Sequence, residues 1–239
     1  MRTVFNSTLK VPPGTYHVVC HNGETENNVE KGTIFSDYQI TTYEDNLLSP
    51  LGRSDDAPRP EGAENQPVRA QANELYAYSL PDPVVLEQSG DKPTVIVMKP
   101  RKRSTVINVT IDNVKNVVPG IEFCGMISGL AESWYPATGM PGGKEVIVPL
   151  QLVLDDACCL RGSMEVFGDN APHNVRHKFR LYTSQKYYYD FDITEQIHAA
   201  LDPNNVSITL SNILLPDTGE GMGVSVGEWG PAEDIDINM

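Results

Sequence analysis

Apolar and polar positions alternate with a period of two along much of this chain. In Lys144–Leu154, Val146, Val148, Leu150, Leu152 and Leu154 fall on one face, and Ile147, Gln151 and Val153 on the other. A strand points successive side chains to opposite faces, so this pattern marks a half-buried strand. Ile107, Val109 and Ile111 alternate with Asn108, Thr110 and Asp112 in the same way. Phe179 and Leu181 alternate with Lys178 and Arg180. Val206, Ile208 and Leu210 alternate with Ser207, Thr209 and Ser211. Tyr187, Tyr189, Phe191 and Ile193 share a face opposite Asp190 and Asp192, and the terminal Ile235 and Ile237 oppose Asp234, Asp236 and Asn238. Turn chemistry separates these runs at Pro12–Gly14, Pro119–Gly120, Pro141–Gly143 and Gly168–Asn170. Short strands at regular spacing with such turns predict a β-sandwich or barrel, and the second half alone supplies roughly seven.

One short helix is predicted. Asp192-Ile-Thr-Glu195 reads as a capping box, with Ile193, Ile197 and Leu201 following at helical spacing and Asp202-Pro203 closing the segment. Residues 45–91 differ in composition. They are rich in proline, acid and small residues, and read as a long loop or excursion interrupted by a strand over Glu74–Leu80. New strand character begins after Lys99-Pro100-Arg101-Lys102-Arg103. The boundary is placed there, giving an N-terminal β-sandwich over 1–100 and a C-terminal one over 101–239. The basic run itself is read as a solvated linker pairing with nearby acids.

Composition narrows the function. The 239 residues carry 32 acidic against 18 basic side chains, a formal net charge of −14. Phosphate binding needs a basic footprint, so nucleic acid is not an expected partner. An anionic membrane surface is excluded on the same ground. No stretch approaches the ~18 continuous apolar residues of a spanning helix. The N-terminus has no apolar core of the kind a signal peptide needs, which read literally means a cytosolic chain. A chain trimmed of a leader, and of a first strand, has the same appearance, because Val4 and Phe5 begin inside what looks like a strand.

The chemistry-bearing residues form no recognisable machinery. Nucleophile elbows, P-loops and dinucleotide fingerprints do not occur. Cys20, Cys124, Cys158 and Cys159 contain no C-x-x-C pair and read as thiols; a bridge from Cys20 is the minor alternative. His17 and His21 share a strand face but stand ~13 Å apart at strand rise, too far for one ion. His173 and His177 flank a turn and are not assigned a metal. The acids at Asp155-Asp156 and at Glu233, Asp234 and Asp236 read as solvated faces. Neither a cofactor nor a catalytic residue is expected, and no enzyme activity. Three aromatic residues beside turns, Trp134, Tyr135 and Trp229, are candidates for contact with a ligand. Tyr187 and Tyr189 belong to a core face.

Two groups of segments carry a family resemblance. Val11-Pro-Pro-Gly-Thr-Tyr-His-Val-Val-Cys-His-Asn22, followed by Glu24-Thr-Glu26, resembles a hairpin and turn of fimbrillin-like surface lipoproteins of the Bacteroidales. In the second half Phe123-Cys-Gly-Met-Ile-Ser-Gly129, Phe167-Gly168 and Asp190-Phe-Asp-Ile-Thr194 are similar to the same family. So is the ending, Leu214-Leu-Pro216, Val226-Gly-Glu-Trp229 and Asp234-Ile-Asp-Ile-Asn238. The resemblance implies an all-β fold of two tandem transthyretin-like Greek-key sandwiches, with the short helix in the second. It implies an exported protein, lipidated near the start of its mature chain and held on the outer membrane. Neither lipobox nor leader is present, and none of the four cysteines is placed to carry the lipid. The family includes pilus stalk, anchor and tip subunits, joined when a strand of one subunit completes the sheet of another, and the resemblance implies a fimbria-like subunit or accessory component. Partners are then other pilus-type subunits or a second copy, with Val4 and Phe5 at the exchanging edge. The alternative is a monomeric surface lipoprotein that binds glycan or a host protein.

Overall fold

The computed structural model describes residues 8–22, 25–87, 93–169, 175–216 and 229–231. Strands dominate. The first part of the chain supplies β1 (Gly14–Tyr16), β2 (Val19–His21), β3 (Asn28–Lys31), β4 (Gln39–Thr42), β5 (Tyr76–Ser79), β6 (Val84–Leu86) and β7 (Arg101–Lys102). Longer strands follow: β8 (Thr105–Asp112), β9 (Phe123–Tyr135), β10 (Met140–Leu154), β11 (Leu160–Val166), β12 (Lys178–Thr183) and β13 (Tyr187–Asp192). After helix α1 (Thr194–His198) come β14 (Asn205–Ser211) and β15 (Gly230–Pro231).

β10 joins two packed sheets. Its residues from Met140 to Leu152 pair with β9, and Val153 and Leu154 pair with β11. One sheet runs β10-β11-β8-β14, with β14 parallel to β8. The other runs β10-β9-β12-β13-β15. Past the end of β12, the same edge of β9 takes up β4, and β4 takes up β3. The apolar faces read from the sequence meet between these sheets. Ile107, Val109 and Ile111 face Ile127, Val146, Val148, Leu150, Phe179 and Leu181, with Val206 and Ile208 alongside. Each such side chain contributes about 1.5–3 kcal/mol by leaving water. All residues of this main cluster lie between positions 107 and 215.

The opposite face of the second sheet is apolar as well. Cys124, Met126, Ile147 and Tyr182 lie under Leu47, Leu48, Ala57, Ala63 and Val68. Residues 45–72, expected as an open loop or flexible excursion, are therefore packed across a sheet. The segment is stitched down by backbone bonds: the Arg69 amide donates to the Ile147 carbonyl at 2.9 Å, and the Ile147 amide to Pro67 at 2.9 Å. Arg180 donates to Asp190 at 2.5 Å and to the Pro58 carbonyl at 2.7 Å, and the Tyr182 hydroxyl donates to the same carbonyl. A third cluster joins Ile40, Ala72, Leu75 and Ala77 to Trp134 and Phe167.

Two glycines are needed where backbones meet closely. A Cβ on Gly125 would stand 2.6 Å from the Phe179 ring, and one on Gly129 (φ 78°) 2.7 Å from the Arg176 carbonyl oxygen. Helix α1 is shorter than its apolar spacing predicts. It closes at His198, so Ile193 and Ile197 enter the core and Leu201 is fully exposed. Asp192 accepts the Thr194 amide at 3.0 Å, and the Thr194 hydroxyl accepts the His177 amide. These bonds take the place of the capping box. The terminal alternating segment 234–238 lies outside the described residues.

Candidate functional site

The first part of the chain leaves its strands thinly paired. β1 pairs with β6 alone among the described residues, and β2, β5 and β7 form a separate three-stranded patch. A two-stranded ribbon is marginal by itself in water. Apolar side chains accompany this thin pairing: Leu9, Val11 and Val85 are exposed. Between the ribbon and β7 runs Pro93-Thr-Val-Ile-Val-Met98, which belongs to no strand among the described residues. In that run Val95 is 79% and Val97 70% exposed. Four of its residues, Thr94, Val95, Ile96 and Val97, are β-forming and open to water. The sequence reading placed the exchanging edge at Val4 and Phe5, which lie outside the described residues.

The three aromatic candidates do not come together. Trp134 is 1% exposed, seated against Ile40, Leu75 and Phe167 with the Arg103 guanidinium 5.8 Å from its ring. Of the two readings open to a Trp beside a turn, an exposed anchor or a lid on a sandwich end, this burial excludes the first: β9 continues through it, and segments from both sides of residue 100 close over the ring. Tyr135 is half-buried, its hydroxyl bonded to Gln39 Oε1 at 3.2 Å. Trp229 packs edge-on against Tyr182 at 5.4 Å and donates its indole N–H to the Asp56 carbonyl at 3.1 Å. It acts as a clasp on the 45–72 segment.

The charged runs also resolve into local pairs. Lys102 reaches Glu165 at 3.0 Å and Glu74 at 3.3 Å, as expected of a linker satisfied by neighbouring acids. Asp155 accepts the amides of Ala157 and Cys159 and pairs with Arg161. Those amide bonds, the Cys159 amide first, hold its carboxyl below the usual carboxylate range. Its work is to fasten the β10–β11 turn. Burial pushes the Cys124 thiol up to about 12, so it is inert as a nucleophile. A polar cleft of about 390 Å³ opens among Glu61, Gln66, Ser128, Glu145, Arg176 and Lys178. Among the described residues no helix is long and apolar enough to cross a membrane.

Comparison with solved structures bears out the fimbrillin-like resemblance at the level of fold. A candidate adhesin from Bacteroides ovatus superposes with a TM-score of 0.61 at 15% identity, over 86% of this chain and 77% of its own. The fimbrial anchor protein Mfa2 from Porphyromonas gingivalis gives 0.51 at 12% identity, over 84% and 69%. A candidate polysaccharide-binding protein from Bacteroides thetaiotaomicron gives 0.52 at 7% identity, over 86% and 72%. At these identities the likeness concerns the fold. None of the curated proteins matches the chain in sequence. Residues 2–151 match the family described as Domain of unknown function (DUF5119). That match spans more than half of the molecule, and the chain accordingly belongs to the DUF5119 family.

Proposed function

We propose that this protein is a non-enzymatic structural or adhesive component of the cell surface, joined to other pilus-type subunits or to a second copy by strand addition. The observation that carries the reading is the exposed Val95-Ile96-Val97 run, which follows the thinly paired β1–β6 ribbon along the chain. An incoming strand supplies main-chain partners and covers these side chains, with register set by alternate residues. The folds shared with an adhesin and a fimbrial anchor support the same role and an outer-surface location. A lipid anchor on the outer membrane is part of the proposal.

Light scattering across a concentration series tests it. Self-association is expected, blocked by excess peptide of residues 1–10, which contains Val4 and Phe5, and abolished in Val95→Lys/Val97→Lys. A wild-type protein that stays monomeric and binds no peptide overturns strand addition. A second reading, a monomeric glycan- or host-protein-binding lipoprotein, rests on the polar cleft. Glycan-array signal lost in Arg176→Ala, from a protein that stays monomeric, favours that reading.

A further inference from the structure

His177 is fully buried, yet both of its ring nitrogens face acceptors. Nδ1 stands 3.0 Å from the Ser128 carbonyl, and Nε2 stands 3.0 Å from Asp169 Oδ1. A carbonyl only accepts, so Nδ1 carries a hydrogen and Nε2 presents its lone pair to a carboxylate. Two lone pairs at that distance need a cation between them. Either a second proton sits there, making a buried imidazolium, or a metal ion does.

A third donor converges on the same carboxylate. His198 Nε2, from the last turn of α1, stands 3.4 Å from Asp169 Oδ2. The ligand atoms of all three side chains lie within 4.8 Å of one another. The two imidazole rings meet edge-on at 86°, with centroids 5.2 Å apart. The Asp169 carboxylate presents one oxygen to each imidazole, Oδ1 to His177 at 3.0 Å and Oδ2 to His198 at 3.4 Å. Two nitrogens and one carboxylate oxygen are a donor set for Zn²⁺ or a neighbouring transition metal, with Ca²⁺ and Mg²⁺ disfavoured.

The surroundings are built to hold these donors still. The Ser128 carbonyl fixes the His177 tautomer that frees Nε2, the outer-sphere bond typical of metal-bound histidine. His177 is clamped along its backbone too: its amide donates to the Thr194 hydroxyl, and its carbonyl accepts the Ile193 amide at 3.0 Å. Gly129 lets the chain pass so close that a Cβ there would stand 3.0 Å from Nδ1. Asp169 is held by a bridge to Leu130 and follows Gly168, at φ 113°.

We propose that Asp169, His177 and His198 form a binding site for one Zn²⁺-class ion, with the remaining position open to water. The ion ties α1 and the start of β12 to the turn after β11. The sequence hid the site because its ligands are spread along the chain and His177 was paired by proximity with His173.

Calorimetric titration of Zn²⁺ into protein free of any histidine tag tests this, alongside Co²⁺ absorption spectra. One equivalent is expected, with visible bands of low-symmetry Co²⁺ and no thiolate charge transfer. His198→Gln and Asp169→Asn should each weaken binding by about tenfold or more, with circular dichroism unchanged. The melting temperature should rise with Zn²⁺ in wild type and not in His198→Gln. Absence of a stoichiometric heat overturns the proposal. So does binding that survives both variants, or binding lost instead in Cys158→Ser/Cys159→Ser.

Discussion

Trp134 shows how far a single residue can be read from its neighbours in sequence. Beside a turn, it resembles a surface platform; in three dimensions it is the largest side chain of a cluster drawn from both halves of the chain. Alternation along β9 gives no warning, because almost every position of that strand is buried on both faces. Asp192 behaves the other way. Its role at the start of α1 is legible locally, and the structure changes only the partner, to Thr194. The Thr194 hydroxyl, and then its amide, hold this carboxyl below its usual range. A depressed native value contributes stability above the unfolded carboxylate value of about 3.9, and that contribution is lost as pH falls through the native one. Wild type should therefore exceed Asp192→Ala in stability by most above pH of about 5, with the gap closing at lower pH; urea titrations between these limits measure it.

At the scale of elements, period two identifies the strands of the main core well. β8 and β14 present the faces that their alternation predicts. The alternation fails where a strand is covered twice. Arg180 reads as outward, opposite Phe179 and Leu181, and is buried, because the covering segment lies over it and its guanidinium donates to the Pro58 carbonyl. That covering segment is itself proline-rich and acidic, a composition that signals a loop and says nothing about where the loop rests. Leu48 is its deepest anchor, fully buried against the sheet. Leu48→Ala should cost roughly 2–5 kcal/mol in chemical denaturation, as a core truncation does, where a residue of a free loop costs close to nothing.

For the whole molecule, the main cluster belongs entirely to residues 107–215, while the two smaller clusters straddle position 100. We accordingly propose that residues 101–239 are a folding unit and that residues 38–75 are a strap across its outer sheet. Expressed alone, 101–239 should unfold cooperatively but at lower denaturant than the full chain. It should also bind a hydrophobic dye through the uncovered Met126, Ile147 and Tyr182 face. A fragment without cooperative unfolding counts against the division.

The sequence by itself determined the class of fold, the main core faces and the absence of recognisable catalytic motifs. Strand periodicity and turn chemistry are local, and they need no knowledge of what lies across the sheet. The family resemblance was legible because its segments keep their order along the chain. Only the tertiary structure decided which faces are covered twice, that Trp134 is interior, and that Val95–Val97 is open. Only it brought Asp169, His177 and His198 together. Each of these depends on contacts between residues distant in sequence, for which no spacing along the chain is a guide.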